Sequence, residues 1–196
     1  MFFRNIFKKY DSWQTSYPIF VKCTTAGILA STADIIAQNA NNKDEVINKR
    51  RILAFSIFGI SWAGLFNHHW YNFLARKFPG KQLIDVCKKT FIQHGLLNPF
   101  VYVPTFLFSQ PLLLSGGNIN NISTRLSSPD KFKEDYVSTL RTCYIFWIPL
   151  SVIQFVFIPT PYHVLYNSGL GFIWNVLLST LYYSENKLKN RNINSV

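Results

Sequence analysis

The sequence predicts an all-α integral membrane protein, a helical bundle with four or five spanning segments. Three observations carry that prediction. Thr142–Ser184, Thr90–Thr124 and Ile52–Ala75 run for 43, 35 and 24 residues without a Lys, Arg, Asp or Glu. The charges of the 196-residue chain sit in short clusters between those runs, and charged residues make up only 15% of it. Aromatic content is high, with 18 Phe, 10 Tyr and 5 Trp. A mean hydropathy of +0.10 is low for such a protein, because Asn, Ser, Thr, Gln and His recur inside the uncharged runs. Those side chains are costly in hydrocarbon unless they pair, face another helix or meet a water-filled space. The bundle is therefore expected to have polar interior faces.

The first element is an amphipathic N-terminal segment, residues 1–17. Phe2, Phe3, Ile6, Phe7 and Tyr10 recur at helical spacing with Arg4, Lys8 and Lys9 between them, and Trp13 and Tyr17 extend the aromatic band. This pattern suits an interfacial helix leading into the first span, and it also has the character of a mitochondrial leader. The bundle proper is placed at 18–184. Its first span runs from Pro18, which loses nothing by lacking an N–H in a first turn, to Gln38. Lys22 lies near enough to its end to snorkel. Ala26, Ala30, Ala33 and Ala37 form a small-residue face that permits close helix packing. Asp34 and Gln38, four residues apart, share one side. Asn39–Arg51 reads as a polar loop.

The second span, Ile52–Ala75, follows Arg50–Arg51 and precedes Arg76–Lys77. Its 24 residues reach about 36 Å as a helix, enough for a hydrocarbon core of roughly 30 Å. The third runs from Thr90 to about Leu114, where Pro99, Pro104 and Pro111 interrupt the hydrogen-bond ladder and predict a kinked span. Ser115–Arg141 is the one long loop and holds an Asn121-Ile-Ser sequon. Pro159 and Pro161 divide the last run into Thr142–Ile158, short for a crossing, and Tyr162–Ser184; this leaves four or five spans. Residues 185–196 form a polar tail. Cys23, Cys87 and Cys143 are too scattered for a disulfide framework and read as small apolar fillers.

The net charge of +11 flanks the apolar runs, where it meets anionic lipid head groups rather than nucleic acid. No paired carboxylates, metal-ligand spacing or phosphate loop is present in the sequence, so neither an enzyme nor a cofactor or metal is expected. The residues that stand out are polar ones in apolar runs: Asp34, Gln38, His68, Gln93, His94, Asn98, Gln154 and Asn175. Each alone reads as a helix–helix hydrogen bond worth about 1 kcal/mol or less. Together they come from every predicted segment and are the candidate pore-lining set. Trp70 and Tyr71 read as an interface belt.

Gly64–Tyr71, Tyr17–Pro18, Thr25–Gly27, Asp34, Gln38 and Arg50–Arg51 resemble the pattern of the Mpv17/PMP22 family of small organelle membrane proteins. The family's Trp-Pro, Asn-Phe, Pro, Arg, Trp-Asn and Leu-Ser series falls onto Trp147, Phe155, Pro159, Trp174–Asn175 and Leu178–Ser179. The chain departs from that pattern at Leu65 and Ile148, where the family has proline. Gln93–His94 stands for Asp-Gln, Gln154 for Asn and His163 for Arg. Those replacements put an amide where the family has a carboxylate, and an imidazole where it has a guanidinium.

The resemblance implies about four spans, in a mitochondrial membrane (inner by preference) or alternatively a peroxisomal one. It implies a weakly selective pore or channel for small solutes that supports membrane homeostasis. The alternative is a non-conducting scaffold or assembly partner, with the alanine face binding another membrane protein or a second copy of the chain.

Overall fold

The computed structural model describes residues 2–41, 47–114, 129–174 and 176. The sequon at Asn121, the candidate Asn175 and the tail 185–196 lie outside the described residues. All regular structure within them is helical. Helix α1 spans Phe2–Ser16 and α2 spans Pro18–Asn41. One unbroken helical rod then runs through α3 (Lys49–Phe58), a π-helical stretch (Gly59–Phe66) and α4 (Asn67–Lys77). A second rod joins α5 (Leu83–Phe91), a π-helical stretch (Ile92–Tyr102) and α6 (Val103–Leu114). Helix α7 covers Pro129–Phe157, a 3-10 turn covers Thr160–Tyr162, and a last helix covers 163–174. Among the described residues, two helical stretches are long and apolar enough to cross a membrane, Pro18–Ala40 and Phe132–Phe157.

Several expectations change in this light. The second and third predicted spans are parts of longer rods that begin inside the flanking basic clusters. Thr142–Ile158 is not a short piece, because α7 starts at Pro129 and its 29 residues extend about 43 Å. Gly64 and Leu65 lie within a continuous helix, so the resemblance to a glycine-proline turn is not matched by a turn here. Cys87 is exposed rather than a filler, whereas Cys143 is buried.

The chain divides into two compact units, one built from Met1–His68 with the segment from Val164 onward, the other from His69–His163. In the first unit α2 lies antiparallel to α3 and its π-helical extension. Ala26, Ala33 and Ala37 are buried, so the small-residue face packs within the unit itself. Two glycines complete the approach. A Cβ at Gly59 would stand 2.7 Å from Ala30 Cβ and 2.8 Å from the Ala26 carbonyl oxygen; one at Gly64 would stand 2.6 Å from Cys23 Cα. Neither contact leaves room for a methyl group. The π register is carried by the i→i+5 bond from the Asn67 N–H to the Trp62 carbonyl. It stacks residues four apart: the Phe58, Trp62 and Phe66 rings lie 6.1 and 4.4 Å apart in succession.

In the second unit α7 packs along the α5–α6 rod. Proline explains that rod's irregular middle. Val103 N–H bonds to the Asn98 carbonyl, an i→i+5 link. The next link in that register would run from residue 104 to the Pro99 carbonyl, but Pro104 has no N–H. The Tyr136 hydroxyl donates to the Pro99 carbonyl instead, at 2.8 Å. The α7 terminus is closed in a similar way, with His163 Nε2–H donating to the Ile158 carbonyl at 2.9 Å.

The polarity is inverted relative to a water-soluble domain. Phe20, Phe100 and Phe157 are each more than 70% exposed, and Ile28, Leu53, Phe91 and Ile145 are also outward. Lys22, Asp34, Asn67, Lys89, Gln93, His94, Asn98 and Gln154 are buried. Exposed hydroxyls on the apolar exterior bond to their own helix: Thr32 donates to Ile28 O and Ser61 to Ile57 O, both near 2.8 Å. Such back-bonding satisfies a hydroxyl without water.

Candidate functional site

Asp34 and Gln38 sit toward the C-terminal end of α2, beside the start of α3. Asp34 Oδ1 accepts from Arg51 Nε at 2.7 Å and Oδ2 accepts from Gln38 Nε2 at 2.7 Å. Gln38 also takes the Asn48 N–H on its Oε1 at 2.7 Å. Asn48 Oδ1 then caps α3 by accepting from the Arg51 N–H. The carboxylate is thus matched by a cation and an amide, and the four residues clasp the helix pair. Arg51, 17 residues from Asp34, is the partner that sequence reasoning did not assign.

His68 lies toward the opposite end of α2. Lys22 Nζ stands 3.0 Å from His68 Nδ1. Lys22 is buried, so it does not snorkel; the imidazole gives its amine a partner inside the unit. Twelve residues separate Lys22 from Asp34, about 18 Å of helix. His68 and Asp34 therefore do not meet.

The second unit gathers Gln93, His94, Asn98 and Gln154. The first three lie on the π-helical stretch of Ile92–Tyr102 and Gln154 on α7, and all are buried. Asn98 Nδ2 donates to His94 Nδ1 at 2.9 Å, which places the ring proton on Nε2; that nitrogen donates to Ser151 Oγ at 2.7 Å. Gln93 Nε2 donates to Tyr71 Oη at 3.3 Å, and Gln154 engages the same hydroxyl. Ser151 and Gln154 are one helical turn apart, as are His94 and Asn98, so the contacts form one buried seam of amide, imidazole, hydroxyl and phenol.

Tyr71 is the main residue the sequence misassigned. It is 2% exposed and belongs to the core, not to an interface belt. Its ring meets Phe155 at 6.3 Å and His163 at 5.3 Å, both edge-on, and Phe155 meets His163 at 5.6 Å. The belt reading rested on nearness to the span end at Ala75, but the Tyr71 ring turns inward onto Phe155, His163 and Gln93. Lys89, at the end of α5 just before the apolar run, closes this region. Its Nζ donates to the Gly80 carbonyl at 2.9 Å and lies 5.9 Å from the Phe155 ring centre. Burial lowers its pKa; Asp85 opposes that shift and Lys81 adds to it.

Among the described residues no three His, Cys, Asp or Glu side chains converge as a metal-ligand set. The first unit also carries an open groove of about 500 Å³ lined by Cys23, Gly27, Ser31, Ser56 and Ile60, among others.

Comparison with known proteins gives a consistent result. The Mpv17 / PMP22 family model matches residues 114–179. The chain is 24% identical to PXMP2/4 family protein 2 of Dictyostelium discoideum over 196 residues, covering 96% of this chain and 97% of that protein. It is 27% identical to the mitochondrial inner membrane protein Mpv17 of Bos taurus over 89% of this chain and 96% of that protein. It is 25% identical to the peroxisomal membrane protein PMP22 of Arabidopsis thaliana over 88% of this chain and 87% of that protein. The relatives' names divide between mitochondrial inner membrane and peroxisomal membrane. No solved structure matches.

Proposed function

We propose that this chain, which belongs to the Mpv17/PMP22 family, is an organelle membrane protein that lets small solutes pass with weak selectivity. It acts by passage rather than catalysis. The observation that carries this reading is the buried polar seam of Gln93, His94, Asn98, Ser151 and Gln154. The helices that hold it turn Phe91, Phe100, Ile145 and Phe157 outward. Apolar exteriors suit lipid, and a hydrogen-bonding interior suits hydrated solutes. In this reading the two continuous rods, α2 and α7 supply four crossings, with the mitochondrial inner membrane the first choice of compartment and the peroxisomal membrane the second. Anionic head groups would meet the basic clusters at the rod ends.

The test is solute flux in liposomes carrying the purified full chain. Wild-type protein is expected to release small solutes, and His94→Leu with Asn98→Leu to slow that release. Vesicles tight to every small solute would overturn passage and favour a non-conducting scaffold.

A further inference from the structure

Within the second unit, two side-chain amides converge on one phenol with opposite functions left over. Gln93 uses its Nε2 on Tyr71 Oη, which leaves Oε1, an acceptor, buried without a hydrogen-bond partner among the described residues. Gln154 engages the same hydroxyl and keeps Nε2, a donor, buried and equally without a partner there. Both glutamines are more than nine-tenths buried. A polar atom so placed loses free energy unless something pairs with it.

The chemistry that satisfies both atoms at once is a hydroxyl, which donates to Oε1 while accepting from Nε2. A bare cation meets only the acceptor and is opposed by the amide N–H. An anion meets only the donor and is opposed by Oε1. The surrounding groups sharpen this preference. Tyr71, Phe155 and His163 supply ring walls, and the nearby cation, Lys89, already donates to the Gly80 carbonyl. The buried carboxylate of Asp34 belongs to the other unit, where Arg51 matches it.

Resting on the passage reading above, we infer that Tyr71, Gln93 and Gln154 form a selectivity site for small uncharged hydroxyl compounds, namely water or short polyols, over ions. The site prefers such solutes because its two spare atoms match a hydroxyl and no formal charge.

The experiment uses liposomes of the full chain in three arms: sucrose shock for water flux, an inward glycerol gradient and a potassium chloride gradient. Wild-type vesicles should admit glycerol or water well ahead of potassium. Tyr71→Phe keeps the ring contacts and removes the shared hydroxyl; Gln154→Met keeps the length and removes the donor. Each should cut the favoured flux about tenfold, the scale of one lost hydrogen bond to a buried group. Loss in the sucrose arm alone assigns the site to water, and loss in the glycerol arm assigns it to polyols; either supports the inference. An unchanged glycerol-to-potassium ratio and unchanged water flux in both variants would overturn it while leaving passage intact. Vesicles closed in all three arms would overturn passage itself, and this inference with it. Should Gln154→Met fail to fold, Tyr71→Phe decides.

Discussion

Arg51 Nε lies 2.7 Å from Asp34 Oδ1, yet the two side chains live in different surroundings: the arginine is 34% exposed and the aspartate 0%. The pair is therefore unequal. Asp34 depends on Arg51 for charge compensation, whereas Arg51 has water or head groups within reach.

That inequality sets the sign of a comparison. Arg51→Met strands a buried carboxylate and should destabilise by about 3 kcal/mol. Asp34→Asn leaves a half-solvated guanidinium and should cost only about 1 kcal/mol. The double variant should recover part of the Arg51→Met loss. Thermal unfolding in detergent reads all three, and equal losses for the two single variants would refute the assignment.

Gly64→Ala should destabilise by roughly 1–3 kcal/mol, because its methyl would meet Cys23 Cα, a backbone atom that cannot swing aside. Gly171→Ala is the control. Nothing lies within 4 Å of a Cβ there, and the residue sits in the last helix. It should stabilise by about 0.5–1 kcal/mol through helix propensity. The melting temperatures of the two variants should move in opposite directions.

His68→Leu should strand the Lys22 amine, at a loss of about 2 kcal/mol. Lys22→Met in the same chain should recover part of it, since a thioether of similar length needs no partner. Detergent melts of the single and double variants measure this, and an additive result would refute the Lys22–His68 contact.

Lys89 gives a pH signature. Burial holds its pKa below the ordinary 10.5, so the unfolded chain binds more protons than the folded one between the two values. Stability attributable to this group should therefore rise with pH across the alkaline window that ends near 10.5 and be flat below it. Comparing wild type with Lys89→Met by chemical denaturation from pH 7 to 10.5 isolates the slope. A gap between them that stays constant would contradict the burial.

Short-range regularities were legible in the sequence. The alanine spacing on α2 announced its buried face, and the i, i+4 placement of Asp34 and Gln38 announced their hydrogen bond. Pro99 and Pro104 announced an irregular rod. The α7 start was missed because charge-free length was taken as helix length, although a helix can carry Lys133 and Arg141 beyond the hydrocarbon. Arg51 was missed as a partner because its reach to Asp34 depends on α2 and α3 lying side by side, which local spacing does not record. The Tyr71 cluster was missed because its partners arrive from three elements, and no local spacing records that.

The π-helical stretch at Gly59–Phe66 also sets the phase of the residues that follow it in the first unit. Ordinary α-helix advances about 100° per residue, and a wider π turn holds about one residue more. Removing any one residue of Gly59–Phe66 and letting the wide turn relax to ordinary helix would therefore return His68 to nearly the same bearing toward Lys22, and only the stack of Phe58, Trp62 and Phe66 would dissolve. The wide turn is thus a one-residue tolerance built into the helix, and single deletions scanned through it should leave the helix pair in alignment whichever position is lost.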